Sequence, residues 1–256
     1  MSINLMWLVA CIWVIQKSAK SDPDNLKPDV IAQRLLILQI TSIYTTTLTI
    51  SHIIVNLYGS TSKDGFIAGL RSECERVTAE HHGLSTKQAI DKLYQMDSTI
   101  RESLRVSPFS VIAPIRVVGL EGGIDMGEGH YLPKGARVGA PFQAIHHDDR
   151  YYTNPLEFDA FQFSRAFEGS GINLRQDSEQ DLTANMNDRF LSWGYGRHVC
   201  PGRWYISLTL KQILSYMVQN YNIQLQGERD NLKSLLNFIV PPTRSKIKIK
   251  KRDNIR

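Results

Sequence analysis

Cysteine is scarce in this 256-residue chain: Cys11, Cys74 and Cys200 are the only three. The count is odd, the spacing is wide, and no Cys-x-x-Cys pair occurs. That excludes a disulfide framework and a zinc-finger-like site, and the chain reads as reduced and intracellular-facing. A long apolar run is also lacking. Leu5–Ile15 (LMWLVACIWVI) is strongly apolar but shorter than the roughly 20 residues that cross a bilayer. It has neither the basic leader nor the small-residue cleavage site of a secretory signal. It is expected to be a buried or half-buried helix, with membrane-surface contact or an anchor as alternatives. No internal repeat is visible. Charge of one sign is lacking too: 30 Lys plus Arg against 25 Asp plus Glu leaves +5, which does not call for nucleic acid as a partner. With 42% hydrophobic and 21% charged residues, wholesale disorder and fibrous repeats are excluded.

Glycine and proline are missing from Asp29 to Tyr58. Residues 18–28, with Pro23 and Pro28, read as a loop, and Asp29 as the N-cap of a helix running to Tyr58. Its first part, VIAQRLLILQI, predicts a buried helix, because apolar residues fall on nearly every face. The stretch TSIYTTTLTI favours strand locally, but strands rarely exceed about ten residues, so the uninterrupted length decides for helix. A second helix is predicted over Phe66–Glu80. A capping box at Ser85-Thr86-Lys87-Gln88 opens a third, carried through Ile90, Leu93, Asp97, Ile100 and Leu104 and ended by Pro108. Short strands follow: Pro114–Gly119, then Tyr131-Leu132 leading into a turn with Pro133 second and Gly135 fourth, with the return at Arg137-Val138. Residues 164–189 form a long polar loop. A helix is predicted over Arg203–Gln219, and an edge strand over Ser245–Arg252. The fold class is mainly α with small β-sheets (α+β).

One segment carries chemistry: Phe190–Tyr205, FLSWGYGRHVCPGRWY. It sets a single cysteine between two glycines, directly before a helix. A helix N-terminus offers free N–H groups and partial positive charge, which stabilise an anionic sulfur. Pro201 suits the first turn, and Gly196 and Gly202 let a flat ligand approach the main chain. A buried structural cysteine is one alternative. A cysteine nucleophile with His198 as base is another, although a base is normally brought in from elsewhere in a fold.

The spacing aromatic-x-x-Gly-x-basic-x-Cys-x-Gly resembles the heme-binding loop of cytochrome P-450 monooxygenases, and G-R-H-x-C-P-G resembles members from fungal secondary metabolism. Trp193 holds the aromatic position and His198 the basic one; Gly196, Cys200 and Gly202 match directly. Glu102-Ser103-Leu104-Arg105 is similar to the family's Glu-x-x-Arg helix. Thr41–Thr46 falls where the family carries its oxygen-activating motif: Thr45 matches the key threonine, Ser42 replaces glycine, and Tyr44 replaces the acid. Arg116 resembles the arginine that pairs with a heme propionate. Asn154–Phe163 resembles P-x-x-F-x-P-x-R-F, with Gln162 in place of the arginine that normally locks onto the Glu102–Arg105 pair. His146 and His147 lie in a stretch typical of this region and need not be ligands.

The resemblance implies a single P-450 heme domain, of which residues 18–256 are the C-terminal portion, after an apolar segment over 1–17. It implies heme b with Cys200 as axial thiolate, and insertion of one oxygen atom from O2 into an apolar small molecule. Residues 109–113 would line its pocket. Electrons would come from an NADPH-dependent flavoprotein reductase, which Arg197 and Arg203 would face. The implied location is the cytoplasmic face of the endoplasmic reticulum membrane, with membrane association but no anchor identified. The alternative is a truncated, inactive remnant that binds heme poorly or not at all. An open reading frame encoding a Trp-x-x-x-Arg helix and a hydrophobic anchor is expected upstream of Met1. Sequencing the genomic DNA there tests this, and stop codons throughout that region count against it.

Overall fold

The computed structural model describes residues 12–13, 15–17, 23–167, 182–227, 233–241 and 244–253. The chain divides into two compact units, Met1–Thr47 and Leu48–Arg256.

In the first unit a 3-10 turn at Pro23–Leu26 leads into helix α1 (Pro28–Tyr58), which runs on into the second unit. Pro28 takes the first helical position, where a missing N–H costs nothing, so Asp29 lies inside the first turn and is not the N-cap. The threonine-rich stretch is helical throughout. Thr41 and Thr47 donate their hydroxyls back to the carbonyls of Ile37 and Ile43 at 2.8 Å, a bond that suits threonine to a helix interior. The expected burial of VIAQRLLILQI is not observed. Leu36, Ile37, Leu38, Ile40 and Ile43 are 51–65% exposed, because no described element of this unit covers them. Of the apolar segment 5–15 only Ile12, Trp13 and Ile15 lie within the described residues; they are helical and exposed. Among the described residues no helix is long and apolar enough to cross a membrane.

The second unit holds the core. The end of α1 contributes Ile53, Leu57 and Tyr58. Helix α2 (Lys63–His81) contributes Leu70, Cys74 and Val77. Burial pushes the Cys74 thiol up to about 12, which marks it as a small core residue. The expected third helix is two. Helix α3 (Lys87–Asp91) is capped by Thr86, whose Oγ1 accepts from the Ala89 N–H at 3.3 Å. Helix α4 (Tyr94–Val106) starts afresh after Leu93. The break has a physical cause. The Glu73 carboxylate, on α2, accepts the N–H groups of Gln95 and Met96 at 2.7 and 2.9 Å. A side chain distant in sequence thus caps the start of α4.

Met96, Ile100 and Leu104 of α4 pack against Leu210, Leu214 and Val218 of helix α6 (Arg203–Asn220). Every residue of α4 from Met96 to Val106 is buried, including Asp97, Arg101, Glu102 and Arg105. Four two-stranded antiparallel sheets surround the helices among the described residues: β1 (Ala113–Val117) with β4 (Arg137–Ala140), β2 (Ile124–Asp125) with β3 (Tyr131–Leu132), β5 (Tyr221–Gln226) with β8 (Lys246–Lys251), and β6 (Lys233–Leu235) with β7 (Phe238–Val240). The turn after β3 closes one residue later than expected. The Ala136 N–H donates to the Pro133 carbonyl, and Gly135 takes φ 86° at the third position, where a left-handed residue is required. Helix α5 (Phe142–His146) follows β4. The architecture is mainly helical with small antiparallel sheets.

Burial pushes Glu73 up to about 7 from its ordinary 4.5, against the N–H bonds and the nearby Arg76, which pull it down. The folded state therefore holds a proton that the unfolded chain has released. Its stabilising contribution is complete below about pH 4.5 and is lost as pH rises to about 7, up to about 3 kcal/mol at ~1.36 kcal/mol per unit. Urea denaturation across pH 4.5–8 is expected to show this fall in the parent chain and a flatter profile in Glu73→Gln.

Candidate functional site

Cys200 lies two residues before Gly202, the N-cap of α6, and is half-buried. Its N–H donates to the Trp193 carbonyl at 2.8 Å, closing the loop between them. Inside that closure Gly194 and Gly196 take φ 82° and 69°, and Gly196–His198 form a 3-10 turn. A Cβ on Gly196 would have no atom within 4 Å, and one on Gly202 would lie 3.9 Å from the Cys200 Sγ. The main chain is thus open at Gly196, while at Gly202 a Cβ would touch the Cys200 Sγ and Ile206. Arg203 donates from Nη1 to the Cys200 carbonyl at 3.1 Å and from Nε to the Ala184 carbonyl at 3.2 Å. Arg203 is therefore committed inward, whereas Arg197 and His198 are exposed.

The loop hangs from α4. Ser192 donates its hydroxyl to the Leu104 carbonyl at 3.0 Å, and Trp193 donates Nε1 to the Thr183 carbonyl at 2.6 Å. Thr183 is itself fixed, since its N–H donates to Asp97 Oδ1 at 2.6 Å and its hydroxyl to the Asp97 carbonyl at 2.7 Å. Asp97 also pairs with Lys211 of α6 at 2.9 Å, both side chains buried. Arg101 donates to the carbonyls of Leu182 and Asn185 at 2.6 and 3.0 Å, with its guanidinium 3.9 Å from the centre of the Phe190 ring.

Glu102 and Arg105 form a bidentate pair with two 2.7 Å bonds, and both side chains are 0% exposed. Burial pushes the Glu102 carboxyl up from its ordinary value, and Arg105 opposes this through its hydrogen bonds and its charge. The remaining Arg105 donors reach the carbonyls of His146, Pro155 and Glu157 at 2.8, 2.6 and 3.0 Å. The Asp159 N–H donates to Glu102 Oε1 at 3.1 Å. Main-chain groups of the segment that carries Gln162 thus complete the pair, and Gln162 itself is half-buried. Arg116 stands exposed on β1, where Nη1 donates to the Ile115 carbonyl. Thr45 and Tyr44 fall in the first unit; Thr45 is half-buried and donates its hydroxyl to the Thr41 carbonyl, and Tyr44 is exposed. In the 109–113 segment, Phe109 and Val111 pair through their main chains with Ile239 and Asn237 of the β6–β7 hairpin.

Sequence reasoning gave no functional role to Asp97 or His146 and did not name Arg101. The signal was there: charged residues at 97, 101 and 105 follow the four-residue helical step, and a solvated face is the ordinary reading of that pattern. Their burial shows a polar face turned inward to hold irregular chain.

Among the described residues no group of three or more His, Cys, Asp or Glu is placed to hold a metal ion. A single soft sulfur suits a metal that brings its other ligands with it, and the open space at Gly196 in the same loop suits a flat one. The residues present fit a heme.

A family model described as Cytochrome P450 matches residues 8–249. The chain is 38% identical over 251 residues to a cytochrome P450 monooxygenase, gloP, of Glarea lozoyensis, covering 94% of this chain and 46% of that protein. It is 40% identical over 217 residues to another, htyF, of Aspergillus rugulosus, covering 82% and 32%. A zebrafish cytochrome P450 structure, described as one with abiraterone, superposes with a TM-score of 0.62 at 22% identity, covering 82% of this chain and 45% of that one. The chain spans about half the length of these relatives, or less.

Replacing Arg105 by Leu would strand the Glu102 carboxylate and three main-chain acceptors. The expected loss is about 3–5 kcal/mol of stability, read by urea denaturation of the parent and variant chains. A loss under about 1 kcal/mol would show that the pair is not the anchor described.

Proposed function

Because the chain belongs to the cytochrome P450 family, we propose that Cys200 is the axial thiolate of a heme b iron and that the chain supplies the thiolate side of a monooxygenase for an apolar small molecule, in fungal secondary metabolism. The observation that carries this reading is the thiol placed before α6 by the Cys200 N–H to Trp193 carbonyl bond, with open main chain at Gly196. Heme supplies, when bound, the activation of O2 and the insertion of one oxygen atom.

The chain's own residues hold and orient. Trp193, Gly196 and Gly202 shape the bed for the flat group, and His198 and Arg116 offer cationic or neutral donors to its carboxylates. Thr45 and Tyr44 occupy the positions of the family's oxygen-activating motif, Thr45 at the key threonine and Tyr44 where an acid is usual. The Glu102–Arg105 pair keeps the surrounding segments in place. Residues 109–113 give the substrate pocket an apolar wall. Electrons come from an NADPH-dependent flavoprotein reductase, and the working location is the cytoplasmic face of the endoplasmic reticulum membrane. Residues 18–256 belong to one heme domain.

One observation favours a second reading, a polypeptide that holds heme poorly or not at all: the exposed apolar row from Leu36 to Ile43. A single experiment separates the two. The chain is expressed with a heme supply, reduced and exposed to carbon monoxide. A red-shifted thiolate–heme band that vanishes in Cys200→Ala is the expected result. No heme uptake by the parent chain would overturn the assignment for this polypeptide.

A further inference from the structure

His146 ends α5 and is 0% exposed, yet packing alone gives no reason for an imidazole there. Its ring stacks on Phe190 at 5.4 Å between centroids and 18° between planes, and lies 6.2 Å from Phe142, contacts an apolar side chain would also make. What an apolar side chain cannot do is accept a hydrogen bond. His146 Nε2 accepts the Leu191 N–H at 2.9 Å, with both groups buried. An acceptor at Nε2 puts the ring proton on Nδ1, and Nδ1 is buried without a hydrogen-bond partner. The ring therefore keeps free of a proton the one nitrogen that Leu191 needs as acceptor.

The bond sits at a junction. On one side, the His146 carbonyl accepts from Arg105 Nη1 at 2.8 Å, which ties the residue to the buried pair. On the other, Leu191 precedes Ser192 and Trp193, which bind the Leu104 and Thr183 carbonyls, and the Trp193 carbonyl receives the Cys200 N–H. We infer that His146 is a positioning residue for the thiol loop: its Nε2 acceptor fixes the main chain at Leu191 and thereby sets where Cys200 presents its sulfur. Burial and the charges of Arg105, His147 and Arg101 push the imidazole down to about 3, so it stays the neutral acceptor across the physiological range. For the sulfur's ligand, the inference rests on the heme reading above; for the loop itself it does not.

The test uses the full chain and three variants. His146→Gln carries a carbonyl oxygen out to about the reach of Nε2. His146→Asn is equally polar but places its oxygen at the Nδ1 position. His146→Leu removes the acceptor. Amide hydrogen exchange is followed at Leu191 without heme, and the ferrous–carbon monoxide spectrum is recorded after heme loading. Exchange at Leu191 is expected to quicken about tenfold in the Leu and Asn variants and to stay near the parent rate in Gln. The share of thiolate-type band is expected to fall in the same order. If Leu does not fold, the contrast between Asn and Gln decides. Equal exchange in Asn, Gln and the parent would overturn the inference. Leu191 responding as stated in a chain that takes up no heme would support the positioning of the loop and count against the heme assignment alone.

Discussion

Two opposite charges with no water around them must have their hydrogen-bonding capacity filled by protein, or the fold loses more from desolvation than the pair returns. Glu102 and Arg105 impose that requirement at the centre of the second unit. Their mutual bonds use both carboxylate oxygens and two guanidinium nitrogens, and the donors left over are met by the carbonyls of His146, Pro155 and Glu157. None of those three carbonyls belongs to a strand. The pair therefore does for irregular chain what a sheet ladder does for strands, giving main-chain groups fixed partners and a fixed path.

The same logic extends along α4. Asp97 and Arg101, four residues apart, reach the 182–185 segment through its N–H and carbonyl groups, and Arg105 reaches 146–157 one turn further on. The helix buries its polar face where an ordinary surface helix would expose it. A cap and an ion pair make that arrangement feasible. Glu73 satisfies the first N–H groups of α4 from another helix, and Lys211 balances the Asp97 charge from α6. Helix, loop and thiol then form one hydrogen-bonded chain, in which Leu104 accepts Ser192, Thr183 accepts Trp193 and Trp193 accepts Cys200.

Much of this was legible in the sequence, for reasons that differ by element. The loop around Cys200 was visible because its glycines, proline and cysteine each meet a local demand at a fixed spacing. Helices α2 and α6 were placed to within a few residues of their bounds, and β8 followed from its alternation of Ile and Lys. The break between α3 and α4 was not legible, because the group that starts α4, Glu73, lies more than twenty residues upstream and nothing near Leu93 announces it. The inward polar face of α4 was not legible for a similar reason, since charge spacing gives a helix's period but not which side is covered. The apolar first part of α1 shows the converse: composition marks residues suited to burial, and burial itself needs a covering element.

The position of the sulfur depends on bonds that each have a main-chain group at one end, and that bears on which substitutions the site tolerates. The fixed points of the loop are the Leu191 N–H, the Trp193 and Cys200 carbonyls and the Cys200 N–H, together with carbonyls at Leu104, Thr183 and Ala184 that receive its side chains. Tyr195, Arg197 and His198 project into solvent from the turn between those points. Changes at these exposed positions can alter what approaches the loop without moving the sulfur, provided the backbone angles at Gly194 and Gly196 are kept. Neutrality at His146 serves the same end: a third cation beside Arg105 and Arg101 would repel both and remove the acceptor that Leu191 requires. The buried pair and the neutral imidazole are thus parts of one device, in which the arginine's charge helps keep its neighbour able to accept.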